Sequence, residues 1–267
     1  MNETARFRFN FRVIFFYFSA LLFCSLDTAI AEDPKLQYYE IRIYKIYDFE
    51  KQQIADDYLR DALLPALNRQ KIDNVGAFHN LKDENDHSIY VVIPFASLES
   101  FSSYNKKLAT DTKYQEAGKK YLDRKKGDGI FDRIESRLLK AFVSIPQMEL
   151  ADFCKEKADG RMFELRLYES HTEEHARRKI KMFDSGETQL MRDVEMGPVF
   201  FGETLAGPDL PNLVYMLSAK NLADHEAHWK SFLESPRWKE MKALPEYKDT
   251  VSNIKKWFLS PTAYSQF

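Results

Sequence analysis

Two hexapeptides hold the side chains of this sequence best suited to chemistry: Tyr39-Glu40-Ile41-Arg42-Ile43-Tyr44 and Phe163-Glu164-Leu165-Arg166-Leu167-Tyr168. Each sets an acid, a guanidinium and a phenol at every second position. On an extended strand alternate residues share a face, so Glu40, Arg42 and Tyr44 project together, as do Glu164, Arg166 and Tyr168. A guanidinium presents a rigid fork of donors that fits a carboxylate, and a phenol beside it adds a further hydrogen bond. Two such groups in a confined space would bind an anionic or carboxylate-bearing small molecule. The pattern also has a purely structural reading, and favours it: buried charges must be paired, and Glu beside Arg in both stretches does this without a ligand.

Histidines are the second candidates. His171 and His175 lie four apart and His225 and His228 three apart, so each pair can share a helix face and ligate a metal or haem iron. Against this, the positions 124 residues earlier are Tyr47, Lys51, Phe101 and Tyr104, which places His225 and His228 where core or rim aromatics stand elsewhere in the chain. His79 and His87 read as exposed hairpin residues. The sequence contains no phosphate-binding glycine loop, nucleophile elbow, CxxC pair or HExxH run. It assigns no catalytic residue, no metal site and no cofactor.

The elements that must position these residues are themselves doubled. One offset of 124 joins Arg42 to Arg166, Leu98 to Leu222 and Tyr114 to Trp238, and a shared register of that extent means duplication. The first unit reads as a strand from near Gln37, then a helix capped by Asp48 and kinked at Pro65. A hairpin of Val75–Phe78 and Ile89–Ile93 follows, then a helix capped by Ser97. The Lys-rich stretch Lys113–Lys126 reads as solvated helix and loop, and Leu138–Ile145 as the last strand. In the second unit Ser170 and Glu173 form a capping box, Val199–Phe201 and Leu213–Leu217 the hairpin, and Asn221 caps the next helix. Trp257-Phe258-Leu259-Ser260 aligns with Ala141-Phe142-Val143-Ser144, which gives the first unit about eight extra residues near Gly118–Ile134.

The order β-α-β-β-α-β is the ferredoxin-like split unit. The expected fold is therefore α+β, two ferredoxin-like repeats packed sheet to sheet as a pseudo-dimer that closes a barrel. Its expected divisions are 1–31 as a signal peptide, 32–149 as the first repeat and 150–267 as the second. The more apolar hexapeptide face is expected against the helices. Glu40, Arg42, Tyr44, Glu164, Arg166 and Tyr168 would then line a polar space between the sheets.

Arg6, Arg8 and Arg12 precede the apolar run Val13–Cys24, and Ala29-Ile30-Ala31 supplies the small residues a signal peptidase reads. The run is short of the ~20 residues that span a bilayer. Cleavage is expected after Ala31, with export to a periplasmic or secreted location and no membrane span afterwards. Cys24 leaves with that segment, so Cys154 stays without an intrachain partner and reads as a small apolar residue. A length of 267 residues suits two domains, and 44% hydrophobic with 30% charged residues is ordinary for a soluble globular chain. A net charge of −2 offers no general attraction for nucleic acid.

The two hexapeptides, together with Leu222 to Trp238 and its ending Ser235-Pro236-Arg237-Trp238, resemble the NIPSNAP family, a branch of the dimeric α/β-barrel superfamily. The resemblance extends over nearly all the sequence beyond residue 31 and is closer in the second unit. It implies the tandem fold, a barrel and self-association as a homo-oligomer, and it brings no agreed catalytic set. The better-known eukaryotic members are mitochondrial and linked to vesicle transport and mitophagy signalling, whereas an export signal points elsewhere. The expected function is an exported NIPSNAP-like binding or assembly module with a small organic or anionic ligand between its sheets. The alternative is an enzyme resembling the cofactor-independent monooxygenases of the same superfamily, acting on a small aromatic substrate in the barrel. An enzyme calls for an interior cavity of at least ~300 Å3 with an open mouth. A module calls for a filled interior and an exposed apolar patch.

Overall fold

A computed structural model describes residues 35–267, so the export signal expected in residues 1–31, with Cys24, lies outside the described residues. Strands β1 (Tyr38–Ile46), β2 (Gly76–Asn80), β3 (Ile89–Phe95) and β4 (Phe131–Ala141) come from the first half of the chain. Strands β5 (Met162–Glu169), β6 (Pro198–Ala206), β7 (Asn212–Ala219) and β8 (Asn253–Pro261) come from the second. They form one closed antiparallel barrel in the order β1-β3-β2-β8-β5-β7-β6-β4, with β4 paired back on β1. Each half supplies a contiguous arc of four strands.

The arcs meet at two short joints. At one, Phe78, His79 and Asn80 of β2 oppose Pro261, Ser260 and Leu259 of β8. At the other, β4 meets β6 from Leu138 opposite Ala206 to Ala141 opposite Gly202. A Cβ on Gly202 would stand 2.8 Å from the Cβ of Leu139, so this joint closes because that side chain is missing. Closure pairs the arcs at both joints, so no strand of the barrel has a wholly unpaired edge.

Helices cover the outside of both arcs. After β1 come α1 (Phe49–Tyr58), a π turn over Leu59–Leu63, and α2 (Leu64–Arg69). Asp48 accepts from the Lys51 N–H at the start of α1. Pro65 falls in the first turn of α2, where its missing N–H is harmless, and the irregularity is the π turn just before it. After β3 come α3 (Leu98–Leu108), capped by Ser97, then α4 (Thr112–Ala117) and α5 (Lys119–Leu122). Between the halves runs α6 (Asp152–Lys155).

The second half follows the same sequence of elements. It has α7 (Glu173–Met182), a π turn over Phe183–Glu187 containing Gly186 at φ 145, and α8 (Thr188–Asp193). It then has α9 (Leu222–Glu234), capped by Asn221, and α10 (Pro236–Ala243). The cap of α7 is Thr172 rather than Ser170: the Ser170 hydroxyl donates to Thr250 O, which leaves Thr172 to accept from the His175 N–H. The last strands are also displaced from the sequence alignment. Glu40 faces Leu138 and Glu164 faces Phe258, so the ladder offset is 120 and the first half carries four extra residues there, not eight.

The barrel interior is apolar, contrary to expectation. Tyr39, Ile41 and Ile43 from β1 pack with Phe163, Leu165 and Leu167 from β5, and with Val92, Val214, Met216 and Leu259. All ten are at most 2% exposed. The faces carrying Glu40, Arg42 and Tyr44, and Glu164, Arg166 and Tyr168, look outward, beneath the helices. Water is excluded from the interior on every side, so a charged side chain there would need all its partners from other strands. Outside, the helices supply those partners. Cys154 lies fully buried in the interior cluster, and burial pushes its thiol up from the ordinary value, which fits the small apolar role.

Candidate functional site

The two Glu-x-Arg-x-Tyr strands occupy separate outer faces, so Arg42 and Arg166 share no common space. In the first half the set is satisfied within itself. Glu40 accepts from Arg42 Nε at 2.7 Å, Ser136 Oγ at 2.8 Å and the Tyr104 hydroxyl at 3.1 Å. Arg42 Nη1 donates to the Tyr44 hydroxyl at 3.4 Å. Tyr58, Tyr114 and Tyr121 pack in the same cluster as Tyr44, and the Tyr58 and Tyr121 rings stack 3.8 Å apart. The Lys-rich stretch is thus not merely solvated. It lays Tyr114, Tyr121 and Leu122 on the core and leaves its lysines outside.

The second half builds a different site from the same strand. Glu164 Oε1 accepts from Arg166 Nη1 at 3.0 Å, and its Oε2 accepts from Trp229 Nε1 at 2.9 Å and stands 3.2 Å from His225 Nε2. Arg166 lies over the Trp229 ring, 4.3 Å from its centroid. On β8, Phe258 is opposite Glu164 and Lys256 opposite Arg166, which puts four side chains on one patch of sheet. Helix α9 stands beside this patch, and between them is a cleft of about 800 Å3. Arg166, Glu164, His225, Trp229, Lys256 and Phe258 line it. Lys82 reaches in from the turn between β2 and β3, its Nζ 3.6 Å from the Phe258 centroid.

The electrostatics of the cleft are uneven. Burial alone would raise the Glu164 carboxyl, but hydrogen bonding to His225 and the nearby charge of Arg166 outweigh it and leave the carboxyl below its ordinary value. Arg166 Nε is buried and has no hydrogen-bond partner among the described residues. A buried donor left unsatisfied costs about 1–3 kcal/mol. Arg166, Lys82, Lys230 and Lys256 outnumber Glu164, Glu226 and Glu234 around the cleft, so it suits an anion.

The structure therefore brings Glu164 and Arg166 together at the cleft, while Tyr168, its ring 5.4 Å from the Arg166 guanidinium carbon, does not line the cleft and has its hydroxyl 2.8 Å from that of Tyr215. His225 joins them through its contact with Glu164. His228 lines a separate groove on another side of α9. The His171 and His175 rings are 6.2 Å apart, and His175 Nδ1 is engaged with Thr172 Oγ1 at 2.8 Å. Among the described residues, no three His, Cys, Asp or Glu side chains are grouped to hold a metal ion. No helix of the described residues is long and apolar enough to cross a membrane.

Every lining residue of the cleft except Lys82 falls between Phe163 and Gln266. Residues 163–266 match the NIPSNAP family. The resemblance is expected over nearly the whole chain; the match falls on residues 163–266, and that stretch carries all but one of the residues lining the cleft. No curated protein matches the sequence. Among solved structures, a protein named as a candidate monooxygenase from Lactobacillus acidophilus is 12% identical, with a TM-score of 0.53 over 85% of this chain and 94% of its own. One named likewise from Fusobacterium nucleatum is 10% identical, with a TM-score of 0.55 over 85% of this chain and 92% of its own. A NIPSNAP-like domain protein from Burkholderia xenovorans is 20% identical over 40% of this chain and 89% of its own, with a TM-score of 0.37. At these identities the first two likenesses concern the fold alone.

Proposed function

We propose that the cleft over Glu164 and Arg166 binds a small aromatic anion, and that the chain acts on it as a monooxygenase-like enzyme without a cofactor. One observation carries this reading. Of two Glu-x-Arg strands, one binds its guanidinium to Glu40 and Tyr44 beneath a cluster of tyrosines, while the other sets Arg166 on the wall of a cleft of about 800 Å3. Phe258 and Trp229 offer ring faces, and Arg166, Lys82 and Lys256 offer charge. His225, oriented by Glu164, is the group placed to take a proton from an acidic position on the bound molecule, and Arg166 would then steady the anion left behind. The names of the Lactobacillus and Fusobacterium proteins agree with this direction.

A second reading is a binding or assembly module, and the filled barrel interior favours it. Under either reading we infer that the two arcs are copies of one ferredoxin-like unit, 32–149 and 150–267, forming an internal pseudo-dimer. We also infer export after cleavage near Ala31 and association into a homo-oligomer. Mass spectrometry of the protein recovered from an expressing cell and its medium tests the cleavage.

Calorimetric titration with aryl carboxylates, followed by oxygen-consumption assays on those that bind, tests the activity. The expected result is binding that Arg166→Gln weakens about tenfold or more, with turnover that His225→Ala removes while binding persists. Binding indifferent to Arg166 would refute the site. Binding without turnover would leave the module.

A further inference from the structure

Behind the cleft lies a second cavity of about 300 Å3, and Arg166, Trp229 and Leu233 line both spaces. Its other walls are Tyr168, Phe232 and Trp238, with Val251 and Ile254 at the lip. Deep in it, Lys179 Nζ donates to Glu187 Oε2 at 2.6 Å. Both side chains are within 5% of full burial. The ammonium also lies 4.4 Å from the Phe183 ring centroid and 5.6 Å from that of Trp238.

The fold does not need this ion pair. The positions 124 residues earlier are Ala55 and Leu63, both fully buried on the corresponding helix and π turn of the first half. There the space is occupied by apolar and tyrosine side chains. Replacing a buried ion pair by apolar neighbours is commonly neutral or stabilising, so a pair present in one half only is better explained by something it binds. Glu187 engages one oxygen in the pair, and an ammonium has three donors, of which Glu187 and the Met182 sulfur account for two. A ligand hydroxyl can both accept from the remaining ammonium hydrogen and donate to the carboxylate. The walls around it are those of a pocket for one aromatic ring.

We propose that the two cavities form one bipartite site for a phenolic carboxylic acid. Its ring occupies the inner chamber, its hydroxyl bridges Lys179 and Glu187, and its carboxylate meets the Arg166 guanidinium at the partition with Lys256 beyond. This rests on the reading of the cleft as an aryl-anion site, and it names the substrate class.

The test is titration of the purified protein with 4-hydroxycinnamate, cinnamate and 4-vinylphenol, read by calorimetry and by quenching of tryptophan emission. 4-Hydroxycinnamate should bind about tenfold or more tightly than either analogue, because each lacks one charge-assisted hydrogen bond. In the double variant Lys179→Met with Glu187→Leu, which restores the apolar character of the first half, the advantage of the hydroxyl should vanish while cinnamate binding is kept. Circular dichroism establishes that this variant folds. Equal affinity for 4-hydroxycinnamate and cinnamate, with dependence on Arg166 retained, overturns the inner chamber and leaves the cleft reading intact. A hydroxyl advantage that survives in the double variant likewise overturns the chamber. Failure of all three compounds to bind removes both proposals.

Discussion

Glu164 is the residue on which the cleft turns, because three different side chains are oriented by its two oxygens. Its carboxyl sits below the ordinary value of 4.5, so the folded state binds its proton less readily than the unfolded chain does. The contribution to stability is therefore full above about pH 4.5 and is lost as pH falls through the lower, folded value. Glu164→Gln should cost about 3 kcal/mol at neutral pH, since it leaves the largely buried Arg166 guanidinium without its counter-charge. The gap between variant and wild type should shrink on acidification, as thermal unfolding across the pH range would show; a gap independent of pH would mean that the charge of Glu164 is immaterial. The alternation of types in the hexapeptide made Glu164 and Arg166 legible as partners. It could not say which face turned inward, because both faces end up buried, one by strands and one by helices. Lys179 and Glu187 had a readable signal, polar residues where the positions 124 earlier hold Ala55 and Leu63, and comparison across the offset alone would have singled them out.

At the scale of elements, three of the four long-helix caps were legible: Asp48, Ser97 and Asn221 each precede an apolar run and each accepts a backbone N–H. The fourth was displaced because two hydroxyl residues compete within three positions, and only the tertiary contact of Ser170 with Thr250 O decides between them. The register of β8 was displaced for a related reason. Similar short apolar motifs align at more than one even shift without changing face, and pairing with β5 selects one of them. Backbone approach between strands was not legible at all. Gly202 faces Leu139 across the β4–β6 joint with no room for a Cβ, so Gly202→Val should cost about 1–3 kcal/mol and loosen that joint. Hydrogen exchange would show faster exchange in β4 and β6 while β5 and β7 keep their protection; uniform protection would contradict the tight approach.

The whole molecule is a single barrel drawn from two arcs, each with an apolar inner face that only the other arc covers. Residues 35–149 or 150–267 expressed alone should expose that face with two open strand edges and come out aggregated or self-paired. Co-expressed, they should yield a soluble one-to-one complex by size-exclusion chromatography, and a soluble monomeric half would refute the mutual dependence. The doubled pattern made this architecture legible; its polarity was not, because sequence alternation fixes two faces and closure decides which is inside. Lys82 adds a last consequence. It belongs to the turn between β2 and β3, yet it caps Phe258 on the wall of a cleft otherwise built entirely from the other arc. A free-standing copy of the second arc would therefore own an incomplete mouth, and a homologue of that size could finish it only by borrowing a cation from a neighbouring subunit. With both arcs in one polypeptide, that cation is always at hand.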